Sequence, residues 1–286
     1  MRDIIIALIC KNESQYLTEF IDYHFSIGFD KIIIADNNDV DGERYDDILA
    51  DYIKDGKVVI LDYRGVEVAQ FEFYNHIIND KPFEYEWCAF IDTDEFITLN
   101  DASKYHNIKD FLKDSGDIKA YKVNWAVYGD NGNVRNDNRP VLERFKYPMP
   151  QNFCFNYFFP ENCHIKSILH YDVKGTFNNA HFLKDCKLYY NPSGVKEETS
   201  PFQNIDYSVL YIRHFYTKSL EEWLTRRFCK IRADINPFGK DNNYPMNDFF
   251  KYNEVTKEKL DFMYEFFNYG NLSDEEKRKI VKPCQR

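Results

Sequence analysis

The sequence predicts an α/β fold in which a largely parallel sheet is flanked by helices. Three observations carry this expectation. Short apolar runs rich in β-branched residues alternate with segments of helical apolar spacing through the first hundred residues. The fourth such run stops abruptly at Asp92-Thr93-Asp94-Glu95. The 286 residues suffice for one large α/β domain with a small helical addition, and 44% hydrophobic with 29% charged residues fits an ordinary globular chain. A 17% aromatic content favours stacking surfaces of the kind that meet sugar and nucleotide rings.

Residues 4–9 read as the first strand, followed by the loop Cys10-Lys11-Asn12-Glu13. Tyr16, Leu17, Phe20, Ile21 and Phe25 then recur at helical spacing, with Gly28 as the stop. Residues 31–35 form a second strand ending in Asp36-Asn37-Asn38, 43–53 a helix, 57–61 a third strand and 67–79 a further helix. Strands separated by helices of this length pair in parallel through right-handed crossovers, so this half reads as one side of a Rossmann-like sheet. The run ending at Asp92 is its fourth strand. No GxGxxG follows the first strand, which counts against a dinucleotide-binding dehydrogenase. Residues 120–125 form a strand, 128–132 a turn-rich loop, and 135–205 short strands and loops broken by Pro148, Pro150, Pro160, Pro192 and Pro201. A helix is expected from Ser219 to Asp234, carrying Arg226, Arg227, Lys230 and Arg232, and an aromatic amphipathic helix over 250–268.

A formal net charge of -10 argues against nucleic acid as a partner, because phosphate backbones are met by clustered Lys and Arg. The seven cysteines are odd in number and lack CxxC spacing, which points to reduced thiols and a cytoplasmic protein. The N-terminal apolar run, Ile4 to Cys10, is too short for a signal-peptide core or a membrane span. The basic stretch Glu276 to Lys282 reads either as peripheral contact with the inner membrane face or as a solvated tail.

An apolar strand has no packing reason to end in Asp-Thr-Asp-Glu, since desolvated carboxylates are costly unless paired or metal-bound. In open α/β sheets ligands collect at the carboxyl ends of strands. Asp92 and Asp94 therefore offer hard oxygen ligands to Mn²⁺ or Mg²⁺, which keeps positions open for diphosphate oxygens. The bland alternative is a capping Asp followed by a solvated loop.

The ordered set Ile9-Cys10-Lys11-Asn12-Glu13, Asp36-Asn37-Asn38, Phe90 to Phe96, Trp125 to Gly132, Glu143-Arg144-Phe145, Lys166-Ser167-Ile168, Ala180-His181-Phe182 and His214 to Trp223 resembles the GT-A glycosyltransferases of the family 2-like and family 92 group. The resemblance spans residues 4–232. It implies a GT-A fold, Rossmann-like and mixed, with a C-terminal helical extension. It further implies metal-dependent, inverting transfer from a nucleotide-sugar donor, most often a UDP-sugar, to a glycan or glycolipid in surface polysaccharide biosynthesis. The domains expected are 1–235 for the GT-A unit, with a nucleotide-sugar half over 1–100 and an acceptor half over 101–235, and 236–286 for the extension.

Within that resemblance, Asp36 accepts hydrogen bonds from the nucleoside, the alternative being a helix or turn cap. Lys11 and Glu13 lie at the mouth of the first strand, where they meet base or ribose, although Glu13 equally suits the first turn of a helix. Arg64 pairs with phosphate or a base edge, or is an ordinary surface Arg. Gln70 and Asn75 are donor-side residues or merely solvated. His214 completes the metal set with Asp92 and Asp94, and Lys218 meets the diphosphate as a point charge with Ser219 as a helix cap. Inversion requires a general base, for which Glu143 and Asp130 are the two candidates. Asp130 stands where relatives often have Ser, and Glu143 reads alternatively as an ion pair with Arg144. Trp125 and Tyr128 read as a sugar platform or as core. The rivals are a haloacid dehalogenase-type phosphatase, with one Asp as nucleophile, and an inactive nucleotide-sugar-binding protein.

Overall fold

The computed structural model describes residues 2–154, 160–197, 200–228 and 246–269. These divide into two compact units, residues 2–127 with 150–214, and residues 128–149 with 215–228 and 246–269. The expected boundary at 235/236 and the basic stretch 276–282 lie outside the described residues.

The first unit is built on ten strands: β1 Ile4–Cys10, β2 Lys31–Asp36, β3 Val58–Asp62, β4 Trp87–Phe90, β5 Glu95–Leu99, β6 Ala120–Val127, β7 Ile165–His170, β8 Tyr189–Tyr190, β9 Lys196–Glu197 and β10 Leu210–His214. The main path runs β3-β2-β1-β4-β7-β6-β10-β5, with β8 and β9 added beside β6. Strands β1 to β4 pair in parallel as predicted, β1 lying between β2 and β4. All seven residues of β1 are buried, as expected of a strand covered on both faces. Phe73, Tyr74 and Ile77 pack on Ile5, Ala7, Ile33 and Phe90 in the same core. The other half makes the sheet mixed: β7 runs antiparallel between β4 and β6, and β5 runs antiparallel to β10.

Two expected elements come out differently, and one strand was not expected. The helix over 43–53 shortens to Ala50–Lys54, because the chain ahead of it is a loop whose Glu43 carbonyl accepts from Arg64. The strand β5 follows the acidic turn directly and was hidden in the sequence by the carboxylates that precede it. The helix over 250–268 is two helices, Met246–Tyr252 and Lys257–Tyr269. Asn253 donates from its side chain to the Phe249 carbonyl, and Thr256 Oγ1 accepts from the Lys259 N–H, so one helix is closed and the next opened.

In the second unit Ser219 forms a capping box with Glu222, as the cap expected at that residue requires, and a π-helical turn Trp223–Phe228 follows. The remainder of the helix expected to Asp234, with Lys230 and Arg232, lies outside the described residues. Leu220, Trp223, Leu224 and Phe249 form an apolar cluster with Phe262 and Met263. Cys10, Cys88, Cys154, Cys163 and Cys186 are free thiols. No helix among the described residues is long and apolar enough to cross a membrane.

Candidate active site

Parallel pairing places the carboxyl ends of β1 and β2 side by side, with Cys10 opposite Asp36. Asp36 is buried. Its Oδ1 accepts from the Asn38 N–H at 3.0 Å and from Asn38 Nδ2 at 2.7 Å. Its Oδ2 accepts from Arg64 Nε at 3.0 Å and lies 2.9 Å from Arg64 Nη2. Arg64 Nη1 donates to the carbonyls of Asp39 and Val40, and Nη2 to that of Glu43. Every N–H of this guanidinium is thus engaged by Asp36 or by the loop after β2. Here Arg64 fixes Asp36 and the loop, in place of the phosphate or base contact expected of it. Lys11 Nζ pairs with Asp39 Oδ1 at 2.9 Å, Asn12 N–H donates to Asn38 Oδ1 at 2.8 Å, and the Glu13 N–H donates to the Tyr45 hydroxyl at 3.3 Å. The two loops expected to receive the nucleoside are therefore tied into one surface.

The acidic turn stands at the carboxyl end of β4. Because β7 runs antiparallel to β4, with Phe90 opposite Ser167, its first residues arrive at this same end. Lys166 Nζ lies 2.6 Å from Asp92 Oδ2 and 3.6 Å from Glu95 Oε2, with only 1% of its side chain exposed. Gln70 Nε2 donates to Asp92 Oδ1 at 2.9 Å, and the Asp92 N–H donates to Glu95 Oε2 at 3.0 Å. Burial works against the Lys166 ammonium, but the Asp92 and Glu95 carboxylates outweigh it and hold its pKa above the ordinary lysine value. Burial pushes the Glu95 carboxyl up, against the pull of Lys166.

Asp94 meets a different partner. The last residue of β10, His214, is opposite Glu95 of β5 and Val127 of β6, which brings its Nε2 to 3.7 Å from Asp94 Oδ1. That separation is too long for a direct hydrogen bond. Both side chains are more than nine-tenths buried, at 7% exposure for His214 and 9% for Asp94. Of the three residues expected to hold a divalent ion, two converge and the third, Asp92, is held by an ammonium and an amide. Among the described residues no group of three or more His, Cys, Asp or Glu is placed to hold a metal ion. A carboxylate and an imidazole are nonetheless a donor set that fits Mn²⁺ or Mg²⁺ when substrate phosphates complete the shell.

The indole of Trp125 stacks on His164, with ring centroids 5.0 Å apart and an 18° tilt, and lies 4.2 Å from the His214 ring. The face read as a sugar platform is thus covered by imidazole, and Trp125 serves to wedge His214 in place. In the second unit Tyr128 packs on Phe215, Asp130 Oδ2 pairs with Lys259 at 2.5 Å in a buried contact, and Glu143 is exposed. The reading of Glu143 as an ion pair with Arg144 is replaced, since Arg144 is bidentate to Glu222 at 2.7 and 2.9 Å. Lys218 is buried with φ 53°, directly ahead of the Ser219 cap. Gln70 is a buried ligand of Asp92, whereas Asn75 bonds the Phe177 backbone and is structural. Sequence reasoning assigned no role to Lys166. Its signals there are a lysine set inside the apolar run Ile165 to Leu169 and the presence of Lys166-Ser167-Ile168 among the blocks that carry the resemblance.

The mixed α/β sheet with an acidic turn at the carboxyl end of a central strand is a GT-A-type scaffold. The chain belongs to glycosyltransferase family 92, whose profile matches residues 8–168. This sets aside the phosphatase alternative. No curated protein matches the chain. Among solved structures it is similar to S. aureus TarS, at 14% identity and TM-score 0.32 over 53% of this chain and 24% of that one. It is similar to TarS 1-349 in complex with UDP-GlcNAc, at 13% identity and TM-score 0.35, covering 59% of this chain and 45% of that one. It is also similar to the mannosyltransferase PcManGT from Pyrobaculum calidifontis in complex with GDP-Man and Mn²⁺, at 9% identity and TM-score 0.33, covering 43% of this chain and 35% of that one. The chain thus spans less than half the length of these three structures, and likeness at this level bears on neither donor nor acceptor.

Proposed function

We propose that this protein is an inverting glycosyltransferase that moves a sugar from a nucleotide-sugar donor, a UDP-sugar, to a glycan or glycolipid acceptor in surface polysaccharide synthesis. The observation that carries the reading is the buried approach of Asp94 and His214 at the carboxyl end of β4, within a chain of family 92. Asp94 and His214 would hold Mn²⁺ or Mg²⁺. When bound, such an ion supplies Lewis-acid neutralisation of the departing diphosphate. The tied loops at Lys11, Glu13 and Asp36 receive the nucleoside, with Arg64 keeping Asp36 in place. Lys218 adds a point charge for diphosphate.

Glu143 takes the proton from the acceptor hydroxyl as that oxygen attacks the anomeric carbon. It is preferred to Asp130 because its carboxylate is exposed, whereas that of Asp130 is buried against Lys259. The cytoplasmic location and peripheral contact with a membrane's inner face belong to this reading as the side on which nucleotide sugars and a lipid-borne acceptor meet.

The test is a thermal-shift screen of nucleotide sugars with Mn²⁺, followed by assay of sugar transfer and donor hydrolysis. A ligand at about a hundred times its Kd stabilises by about 2.7 kcal/mol, so a bound UDP-sugar raises the melting temperature by several degrees. No shift with any nucleotide sugar would overturn the reading. A shift without transfer or hydrolysis supports the inactive binding protein instead.

A further inference from the structure

We infer that Lys166 occupies the cation position at Asp92, so that Asp92 is charge-balanced by the protein and is not a metal ligand. The inference goes beyond the donor reading above and rests on it only for the location of the site. Both Asp92 oxygens already have protein donors: Lys166 Nζ at 2.6 Å on Oδ2 and Gln70 Nε2 at 2.9 Å on Oδ1. The backbone of Asp92 is held as well, through its N–H to Glu95 Oε2. The ammonium also faces Glu95 Oε2 at 3.6 Å, so a single buried cation serves two carboxylates.

The fold explains why the lysine stands there. Four parallel strands, β1 to β4, carry their carboxyl ends to the donor side, and the antiparallel β7 delivers an amino end, with Lys166 opposite Val123 and Ser167 opposite Phe90. Its side chain is 1% exposed, so solvent does not screen it. A divalent ion on Asp92 Oδ2 would lie against this ammonium and be repelled by it. Asp94, two residues on, faces the imidazole of His214, at 3.7 Å from its Nε2. Lys166 acts on the site through Asp92 and is a positioning residue.

The test is Mn²⁺ binding to the full chain, read by the electron paramagnetic resonance of free Mn²⁺, with no nucleotide present and again with UDP. Asp92→Asn is expected to change Mn²⁺ affinity by less than threefold. Lys166→Met, which frees the carboxylates of Asp92 and Glu95, is expected to raise Mn²⁺ affinity at least fivefold or to add a second bound ion. Lys166→Arg should return the wild-type value. Unchanged Mn²⁺ binding in folded Lys166→Met would overturn the inference, as would a tenfold or greater loss in Asp92→Asn. Should Lys166→Met fail to fold, Asp92→Asn decides alone. The donor reading is judged separately by nucleotide-sugar binding, which can fail while these metal affinities come out as expected.

Discussion

Asp92 and Asp94 are two residues apart, yet one is held by Lys166 and Gln70 and the other faces His214. The difference makes a prediction for single residues. Asp94→Ala or His214→Ala should weaken Mn²⁺ binding at least tenfold and abolish transfer while leaving the circular dichroism spectrum unchanged. Wild-type transfer by either variant would exclude the pair as ligands. A second residue-scale prediction concerns acid stability. His24 is buried, with Nδ1 on the Phe20 carbonyl and Nε2 accepting from the Ile97 N–H, and burial lowers its pKa from 6.5 to about 3. The unfolded chain takes up this proton more readily than the folded one, so stability is full above about pH 6.5 and falls as the pH drops towards 3. At pH 5 the loss from this residue is about 2 kcal/mol. Urea denaturation at pH 7 and pH 5 should show a difference smaller by that amount in His24→Gln.

At the scale of elements, the antiparallel insertion of β7 between β4 and β6 decides the charge of the site, because it brings a lysine to strand ends that otherwise carry acids. Two contacts in the second unit are similarly decisive. Arg144 meets Glu222 through two buried hydrogen bonds, and Glu222 also closes the Ser219 cap. Arg144→Met leaves a buried carboxylate without its guanidinium and should cost about 3–5 kcal/mol, read from denaturant unfolding. The loop at Gly129 packs so closely that a Cβ there would lie 2.7 Å from Asn253 Oδ1 and 2.9 Å from the Tyr252 carbonyl oxygen. Gly129→Ala should therefore lower the melting temperature, at a cost of about 1–3 kcal/mol, as overpacking does. An unchanged melting curve would show that the helix end gives way freely.

For the whole molecule, the proposed activity requires both donor binding and a group that takes the acceptor's proton. Glu143→Gln should reduce sugar transfer by about 10²–10⁴-fold, the usual contribution of a general base, while nucleotide-sugar binding by thermal shift stays as in the wild type. A comparable loss in Asp130→Asn, accompanied by a lower melting temperature, would instead reflect the broken Lys259 pair. The net charge of -10 fits a small anionic donor only if cations are concentrated locally. Activity should accordingly disappear with excess chelator and return with added Mn²⁺, measured as product formed per enzyme.

The alternation of β-branched runs with helical spacing was enough to determine the parallel half of the sheet, since burial on both faces leaves an unmistakable apolar strand. An apolar run ending in Asp-Thr-Asp-Glu likewise marked the place where charged partners gather, because carboxylates at a buried strand end require a cation. Which cation each one meets was not legible. That depended on β7 running antiparallel beside β4 and on β10 ending opposite Glu95, pairings between segments more than seventy residues apart. Local spacing carries no information about such pairings. The same holds for Arg64, whose sequence neighbours do not show that its donors are turned to Asp36 and the loop after β2. Residue types determined that charge gathers at the carboxyl end of β4, and the tertiary structure decided that Lys166 answers Asp92 while His214 answers Asp94.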